Sequence, residues 1–247
     1  MAGGSSAREY GADLAVAHHE GFAGVAQQAA ESALLELGRR FERGLLVDLG
    51  CGTGVLARVI TDAGYDVTGV DISPSMLVVA RGHAPKAQFV ESSLLDFVLP
   101  PCEAVTAVGE AVNYGFDRRA GLNRLGDLFA RAYDALVPGG FFLLDVAGPG
   151  RVRGGSARTF VDTGDWAVAA HSIESDDHTE LTRTITTFRR AGDLYRRTDE
   201  VHRQHLYRGA DIEHLLRAAG FTVRRRRGYG DLRYAHGTNV FFAGKRR

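Results

Sequence analysis

The sequence predicts an α/β protein built on a doubly wound parallel sheet, with an antiparallel β segment inserted late in the chain. Three observations carry that expectation. Apolar strand segments alternate with helically spaced ones after the first helix, the pattern of a parallel, doubly wound sheet. The first of those strands runs straight into the glycine turn Gly50-Cys51-Gly52-Thr53-Gly54, which opens a helix. Between Gly148 and Arg208 the helical spacing gives way to period-two runs broken by polar turns.

Taken in order, Met1 to Arg8 are small and polar and read as unstructured. Phe22, Val25, Ala29, Ala33 and Leu37 then recur at helical spacing and predict one amphipathic helix running to about Arg40, with His18 and His19 just ahead of it. Leu45, Leu46 and Val47 form the apolar run of the first strand, and Val67-Thr68-Gly69-Val70-Asp71 a second. Helices are expected near 54–63, 75–82 and 118–136, the last with Leu122, Leu125, Leu128, Phe129 and Leu136 on one side. The period-two runs are Trp166 to Ile173, Leu181 to Phe188 and Leu194 to Leu206, an antiparallel meander. A helix from Asp211 to Ala219 and strands near 221–229 and 238–244 return the chain to the sheet.

The formal net charge is +0 and the two cysteines are Cys51 and Cys102. Neutral charge lacks the basic field of a general nucleic-acid binder and favours a small-molecule substrate. Two cysteines support neither a disulfide scaffold nor a cysteine metal site, so a cytoplasmic protein with no metal is expected. No stretch approaches a membrane span and no export segment is seen. The oligomeric state stays open, with a homodimer as one assembly the chain could form.

The motifs narrow the chemistry. Asp71 ends a buried strand about 20 residues after the first glycine, where an adenosine ribose needs acceptors for its hydroxyls. A dinucleotide site shares this layout, but its glycines follow G-x-G-x-x-G and its helix N-terminus meets a pyrophosphate. Here the spacing is G-x-G-x-G, and Asp48, two residues ahead of the turn, would repel a pyrophosphate while suiting a cofactor that carries an ammonium group. At these residues the chain resembles the class I S-adenosylmethionine (SAM)-dependent methyltransferases, with Val47 to Ala57 matching their first motif and Val67 to Leu77 their acidic second-strand motif. Ala87 to Leu94 resembles the family's third-strand segment, Ala104 to Gly109 its fourth strand, and Leu136 to Gly140 with Phe141 to Asp145 its fifth. The resemblance implies a seven-stranded Rossmann-like methyltransferase sheet with an antiparallel β cap inserted after the fifth strand. Residues 9–147 and 209–247 would form the SAM-binding core with an N-terminal helical lid, and 148–208 the substrate cap.

Cofactor contacts are expected from Asp48, Gly50, Cys51, Gly52, Gly54 and Asp71, from Ile72, Met76, Ser93 and Leu94 around the adenine, and from Glu110, Tyr10 and His19. Many members of the family place an aspartate beside the adenine amino group where this chain has Ser93, with Asp96 three residues on. Methyl transfer is a direct displacement that needs no fixed triad, so the candidates for chemistry are fewer and less marked. Tyr114, after the fourth strand, and Asp145, ending the fifth, face the same edge. Glu200, His202 and Gln204 must share one strand face, and if that face looks inward Glu200 could orient His202 as a general base; a solvated face is the plainer alternative. The arginine run 224–227 reads as protection of an edge strand, and Tyr229, Tyr234 and His236 lie near the expected mouth of the pocket. The leading reading is a SAM-dependent methyltransferase acting on an O or N atom of a small organic acceptor, a natural-product-like metabolite among them. Competing readings are a SAM-binding protein without methyl transfer and an NAD(P)-dependent oxidoreductase.

Overall fold

In a computed structural model, residues 10–234 and 236–247 are described; the unstructured start expected for residues 1–8 lies outside them. Two sheets organise the chain. The larger contains β1 (Leu45–Leu49), β2 (Asp66–Asp71), β3 (Gln88–Glu91), β4 (Cys102–Ala107), β5 (Leu136–Ala147), β10 (Thr222–Arg226) and β11 (Thr238–Gly244), ordered β10-β11-β5-β4-β1-β2-β3. Its first five strands run parallel, while β11 lies antiparallel between β5 and β10. The second sheet is an antiparallel meander of β6 (Ser156–Asp162), β7 (Trp166–Glu174), β8 (Glu180–Ala191) and β9 (Leu194–His205).

Both faces of the large sheet are covered, which explains why its strands are apolar runs rather than alternations. On one face Val47, Val105 and Phe142 pack with Leu128 and Phe129 of α5 (Leu122–Ala135) and Ile212 and Leu216 of α6 (Gly209–Ala218). On the other, Leu46, Ala104 and Phe141 meet Ala33 and Leu37 of α2 (Gly24–Gly38) and Leu56 and Ile60 of α3 (Val55–Asp62). Neighbours in sequence thus point to opposite cores, and each fully buried leucine or phenylalanine contributes about 1.5–3 kcal/mol.

The single helix expected from Phe22 to Arg40 is two: α1 (Ala12–Gly21) and α2, so His18 and His19 lie in the last turn of α1, not ahead of the first helix. The break has a packing cause. A β-carbon on Gly21 would stand 2.5 Å from the Trp166 ring, so the chain turns where the indole abuts bare backbone. α1 is seated on the second sheet: Leu14 and Ala17 pack with Trp166, Val168 and Ile185, Asp13 accepts from Arg196, and the Trp166 indole N–H donates to Glu20 over 2.6 Å. α4 (Pro74–His83) starts on a Ser73 cap that accepts from the Met76 amide. The fourth helix expected from 118 begins only at Leu122, after Gly121, and β6, all of whose residues are exposed, carries no apolar alternation by which sequence could announce it.

Candidate active site

The carboxyl ends of β1, β2 and β4 open onto a cavity of about 870 Å³ that reaches across to the inner face of the second sheet. Its floor is the glycine turn. Gly50 and Cys51 donate their amides to the Val70 carbonyl at 2.7 and 3.0 Å, which ties the turn to the neighbouring strand. Gly50 sits at φ +73° with Ala111 so close that an added β-carbon would stand 2.6 Å from the alanine methyl; Gly52, at φ +54°, would project a side chain into open cavity. Both positions need glycine, one for packing and one for ligand access.

Asp71 organises the second wall. One carboxylate oxygen accepts the Gly52 amide at 2.8 Å and the other the Ser73 amide at 2.8 Å, so a single acid joins the glycine turn to the start of α4. Ser73 Oγ in turn donates to the Tyr10 carbonyl at 2.8 Å and fixes the segment leading into α1. Ile72, Met76, Ser93 and Leu94 line the same end of the cavity with Cys51. Ser93 Oγ donates to Asp117 at 2.7 Å, and Asp117 also lines the cavity, its carboxyl held below the usual range chiefly by Arg119. Asp96, the acid three residues after Ser93, instead pairs with Arg119 on the surface.

Asp48 is 2% exposed and borders no part of the cavity; Thr106 Oγ1 donates to it at 2.6 Å, and burial pushes its carboxyl up to about 7 despite that bond. Gly54, also off the cavity wall, faces Ala80 and Phe89, where it lets α3 and α4 approach. Asp145 is fully enclosed and accepts from the Gly109 and Glu110 amides and from the hydroxyls of Tyr229 and Tyr234. Burial and the nearby Glu110 raise it to about 6. Its bonds pin the loop after β4, in which Glu110 takes the unusual φ of +62° for a non-glycine residue. Asn113 adds a second clamp, bonding both the amide and carbonyl of Ala147. The Glu110 carboxylate borders the cavity and accepts from Arg151 at 2.5 Å and Gln204 at 3.2 Å.

At the middle of the cavity the hydroxyls of Tyr10 and Tyr114 lie 2.8 Å apart. Burial raises both phenols above their ordinary value, so both stay protonated at neutral pH. The Glu200-His202-Gln204 face of β9 does point inward: His202 is 0% exposed and bonds Glu200 at 2.9 Å. The imidazole nonetheless stands behind the cavity wall, packed on the rings of Tyr10, Phe116 and Tyr114 at centroid distances of 4.6, 5.1 and 6.0 Å. Glu200 accepts the Gly11 amide at 3.2 Å. His19 turns away from the cavity to Thr53 and His83, while His18 lines it, its imidazole driven down to about 4 mainly by burial. Arg183, Arg151 and Phe116 also line it and were not singled out from sequence. Arg183 had a readable signal, since Leu181, Arg183 and Ile185 share one strand face and a lone charge on an apolar face marks a polar partner. His236 is exposed and makes no wall.

Residues 46–140 match the model of the methyltransferase domain family. A Geobacillus sp. (strain WCH70) protein that carries a methyltransferase name is 28% identical over 80% of this chain and 81% of its own. The dTDP-3-amino-3,4,6-trideoxy-alpha-D-glucopyranose N,N-dimethyltransferase of Streptomyces venezuelae is 27% identical over 80% of this chain and 84% of its own. Among solved structures, a SAM-dependent methyltransferase from Clostridium acetobutylicum ATCC 824 shares the fold with a TM-score of 0.79 at 17% identity, covering 94% of this chain and 98% of that one. The fold and the glycine turn define a nucleotide-binding α/β enzyme. With the domain match, residues 46–140 carry a methyltransferase domain, and the chain as a whole has the fold of a SAM-dependent methyltransferase.

The lining fits that cofactor by its own chemistry. A side-chain-free turn at Gly52, a carboxylate at Asp71 and apolar walls at Ile72, Met76 and Leu94 suit an adenosine bearing an amino-acid tail. Among the described residues no group of three or more His, Cys, Asp or Glu side chains is arranged to hold a metal ion, and no helix is long and apolar enough to cross a membrane.

Proposed function

We propose that this methyltransferase acts on a nitrogen or oxygen atom of a small organic acceptor held between the glycine turn and the four-stranded sheet. One observation carries the reading: the cavity is continuous from Gly50, Gly52 and Asp71 to Val168, Ala170 and Ile185, so one cleft has a nucleoside end and an apolar end on a separate sheet. SAM, when bound, supplies a methyl group on a sulfonium as the electrophile. Everything else is positioning and exclusion of water.

In this reading Asp71 takes the ribose hydroxyls, the backbone of Gly50, Cys51 and Gly52 receives the amino-acid portion, and Ile72, Met76 and Leu94 flank the adenine, whose edge meets Ser93 and its partner Asp117. Asp48 and Gly54 act from beneath, Asp48 by bonding Thr106 of β4 under the turn and Gly54 by letting α3 and α4 close up. Glu110 and the Tyr10-Tyr114 pair stand between cofactor and acceptor, with both phenols as hydrogen-bond donors or acceptors to the reacting atom. Asp145 shapes the loop that carries Glu110. His202 with Glu200 serves as a positioning pair behind Tyr10, and His19 holds the end of α1 over the turn. Residues 148–208 form the substrate cap, and 9–147 with 209–247 the core and lid.

Support for a natural-product acceptor comes from relatives whose names specify sugar methylation, including the Streptomyces venezuelae enzyme and the sugar N-methyltransferase KedS8 from Streptoalloteichus sp. ATCC 53650. Formal charge of +0 supports a small acceptor over nucleic acid. Two free, buried cysteines support a cytoplasmic location, and the outer edge of β6, exposed along its length, supports pairing of two copies. The test is transfer of a labelled methyl group from SAM to a panel of amines, phenols and amino sugars. Label in at least one small product is expected; retention of all label on SAM across the panel, with tight SAM binding, would return the protein to a binding role.

A further inference from the structure

Arg183 lines the four-stranded-sheet side of the cavity and has no ion-pair partner among the described residues. It lies mid-strand on β8, its cross-strand partners are Ser172 on β7 and His202 on β9, and its strand-face neighbours Leu181 and Ile185 are buried and apolar. Its Nε donates to Ser172 Oγ at 3.2 Å. Among the described residues no carboxylate forms an ion pair with it, and Glu110, which also lines the cavity, is engaged by Arg151 at 2.5 Å. Burial works against the guanidinium charge, and the neighbouring Tyr114, Tyr10 and Glu110 hold it. His18 on the facing helix is neutral at physiological pH because burial drives it down to about 4, so it neither repels an anion there nor attracts one. Of the five guanidinium N–H donors, Nε–H serves Ser172 Oγ and another serves the Tyr114 oxygen, which leaves donors for an oxyanion.

The location sorts acceptor from cofactor. Tyr10 is within electrostatic reach of both Arg183 and Asp71, while its carbonyl is tied to Ser73 at the start of α4. Asp71 stands on the glycine-turn side of the tyrosine pair and Arg183 on the four-stranded-sheet side. A further arginine, Arg153, lines the same cavity and is exposed, with no ion pair among the described residues, so positive charge extends from the half-buried Arg183 toward solvent. The floor of this half is apolar, formed by Val168, Ala170 and Ile185.

We infer that the methyl acceptor is an anion whose carboxylate or phosphate docks on Arg183, with its apolar body against the inner face of the four-stranded sheet. This rests on the methyltransferase reading and adds the substrate's charge and the residue that selects it. A half-buried guanidinium with no ion pair gains from a ligand oxyanion, and it discriminates against an isosteric neutral acceptor because that would leave its N–H groups unpaired.

The experiment uses the full chain saturated with S-adenosylhomocysteine and titrates benzoate, phenyl phosphate and benzamide by calorimetry, for the wild type, Arg183→Met and Arg183→Lys, with a melting curve for each. Benzoate or phenyl phosphate is expected to bind at least tenfold more tightly than benzamide, to lose tenfold or more in Arg183→Met and to recover in part in Arg183→Lys, with S-adenosylhomocysteine affinity equal in all three. The stronger of the two anions identifies the headgroup. Equal affinity for benzamide and the anions, or anion binding that survives in a folded Arg183→Met, overturns the inference. So does a folded Arg183→Met that loses S-adenosylhomocysteine, since the arginine would then hold the cofactor's own carboxylate. Failure of the wild type to bind S-adenosylhomocysteine strikes at the methyltransferase reading itself, and the inference falls with it.

Discussion

The two ends of the cavity are built by different means. At the glycine turn the ligand surface is backbone: the amides of Gly50, Cys51 and Gly52 donate hydrogen bonds to the Val70 carbonyl and the Asp71 carboxylate. On the four-stranded sheet the surface is side chain, with Val168, Ala170, Arg183 and Ile185 standing on extended strands whose backbones pair among themselves. The contrast teaches where specificity can change. A backbone cradle tolerates one ligand shape and few substitutions, whereas strand-face residues alternate independently and can be exchanged without disturbing the ladder.

The sharpest way to break this contrast is at Asp71. Asp71→Ala should weaken SAM binding at least a hundredfold, about 3 kcal/mol, with a far-UV spectrum like that of the wild type. Unchanged affinity by calorimetry would mean that the cradle does not depend on its acid.

At the seam between the two ends, His18 should make stability fall with acidity. Its folded value near 4 lies below the ordinary 6.5, so the unfolded chain takes up the proton first and the stabilisation, complete above pH 6.5, is lost as pH drops toward 4. Asp48 near 7 and Asp145 near 6 act in the opposite direction over an overlapping range, because the folded chain binds their protons more readily. Comparing wild type with His18→Gln cancels those acids. From pH 7 to pH 5 the wild type should lose about 2 kcal/mol more than the variant; parallel denaturant midpoints at both pH values would contradict a buried neutral imidazole.

On the acceptor side, Tyr114→Phe removes one hydroxyl of the pair with Tyr10 and leaves the cofactor end intact. A roughly tenfold drop in kcat/KM, about 1.4 kcal/mol, is expected with unchanged SAM affinity, and a loss confined to SAM affinity would move Tyr114 to the cofactor. Outside both ends, Glu213→Ala breaks an exposed ion pair with Arg217 on α6. It should cost only about 0.3–0.5 kcal/mol in a thermal melt and nothing in turnover.

Legibility in the sequence followed the same division. The turn and Asp71 were readable because glycine at positive φ and an acid at a strand end leave marks that few other structures require. The break between α1 and α2 was not, since Gly21 and Gly24 look like tolerated helix residues until Trp166, 142 positions beyond Gly24, packs against the chain there. Strand β6 was silent because exposure on both faces removes the period-two signal. Alternation put Glu200, His202 and Gln204 on one face, and burial agrees, but which rings stand between that face and the cavity is a matter of tertiary packing by Tyr10 and Phe116. Choosing His19 over His18 failed for the same reason: adjacent helical residues point about 100° apart, and only the docking of α1 decides which one enters.

The central claim is that the glycine turn and Asp71 together hold a sulfonium nucleoside and no diphosphate. Titration of the purified chain with SAM and, separately, with NADH tests it most directly. Saturable micromolar binding of SAM with no heat or fluorescence change from NADH is the expected result; silence toward SAM at millimolar concentration, or tight binding of NADH, would contradict it.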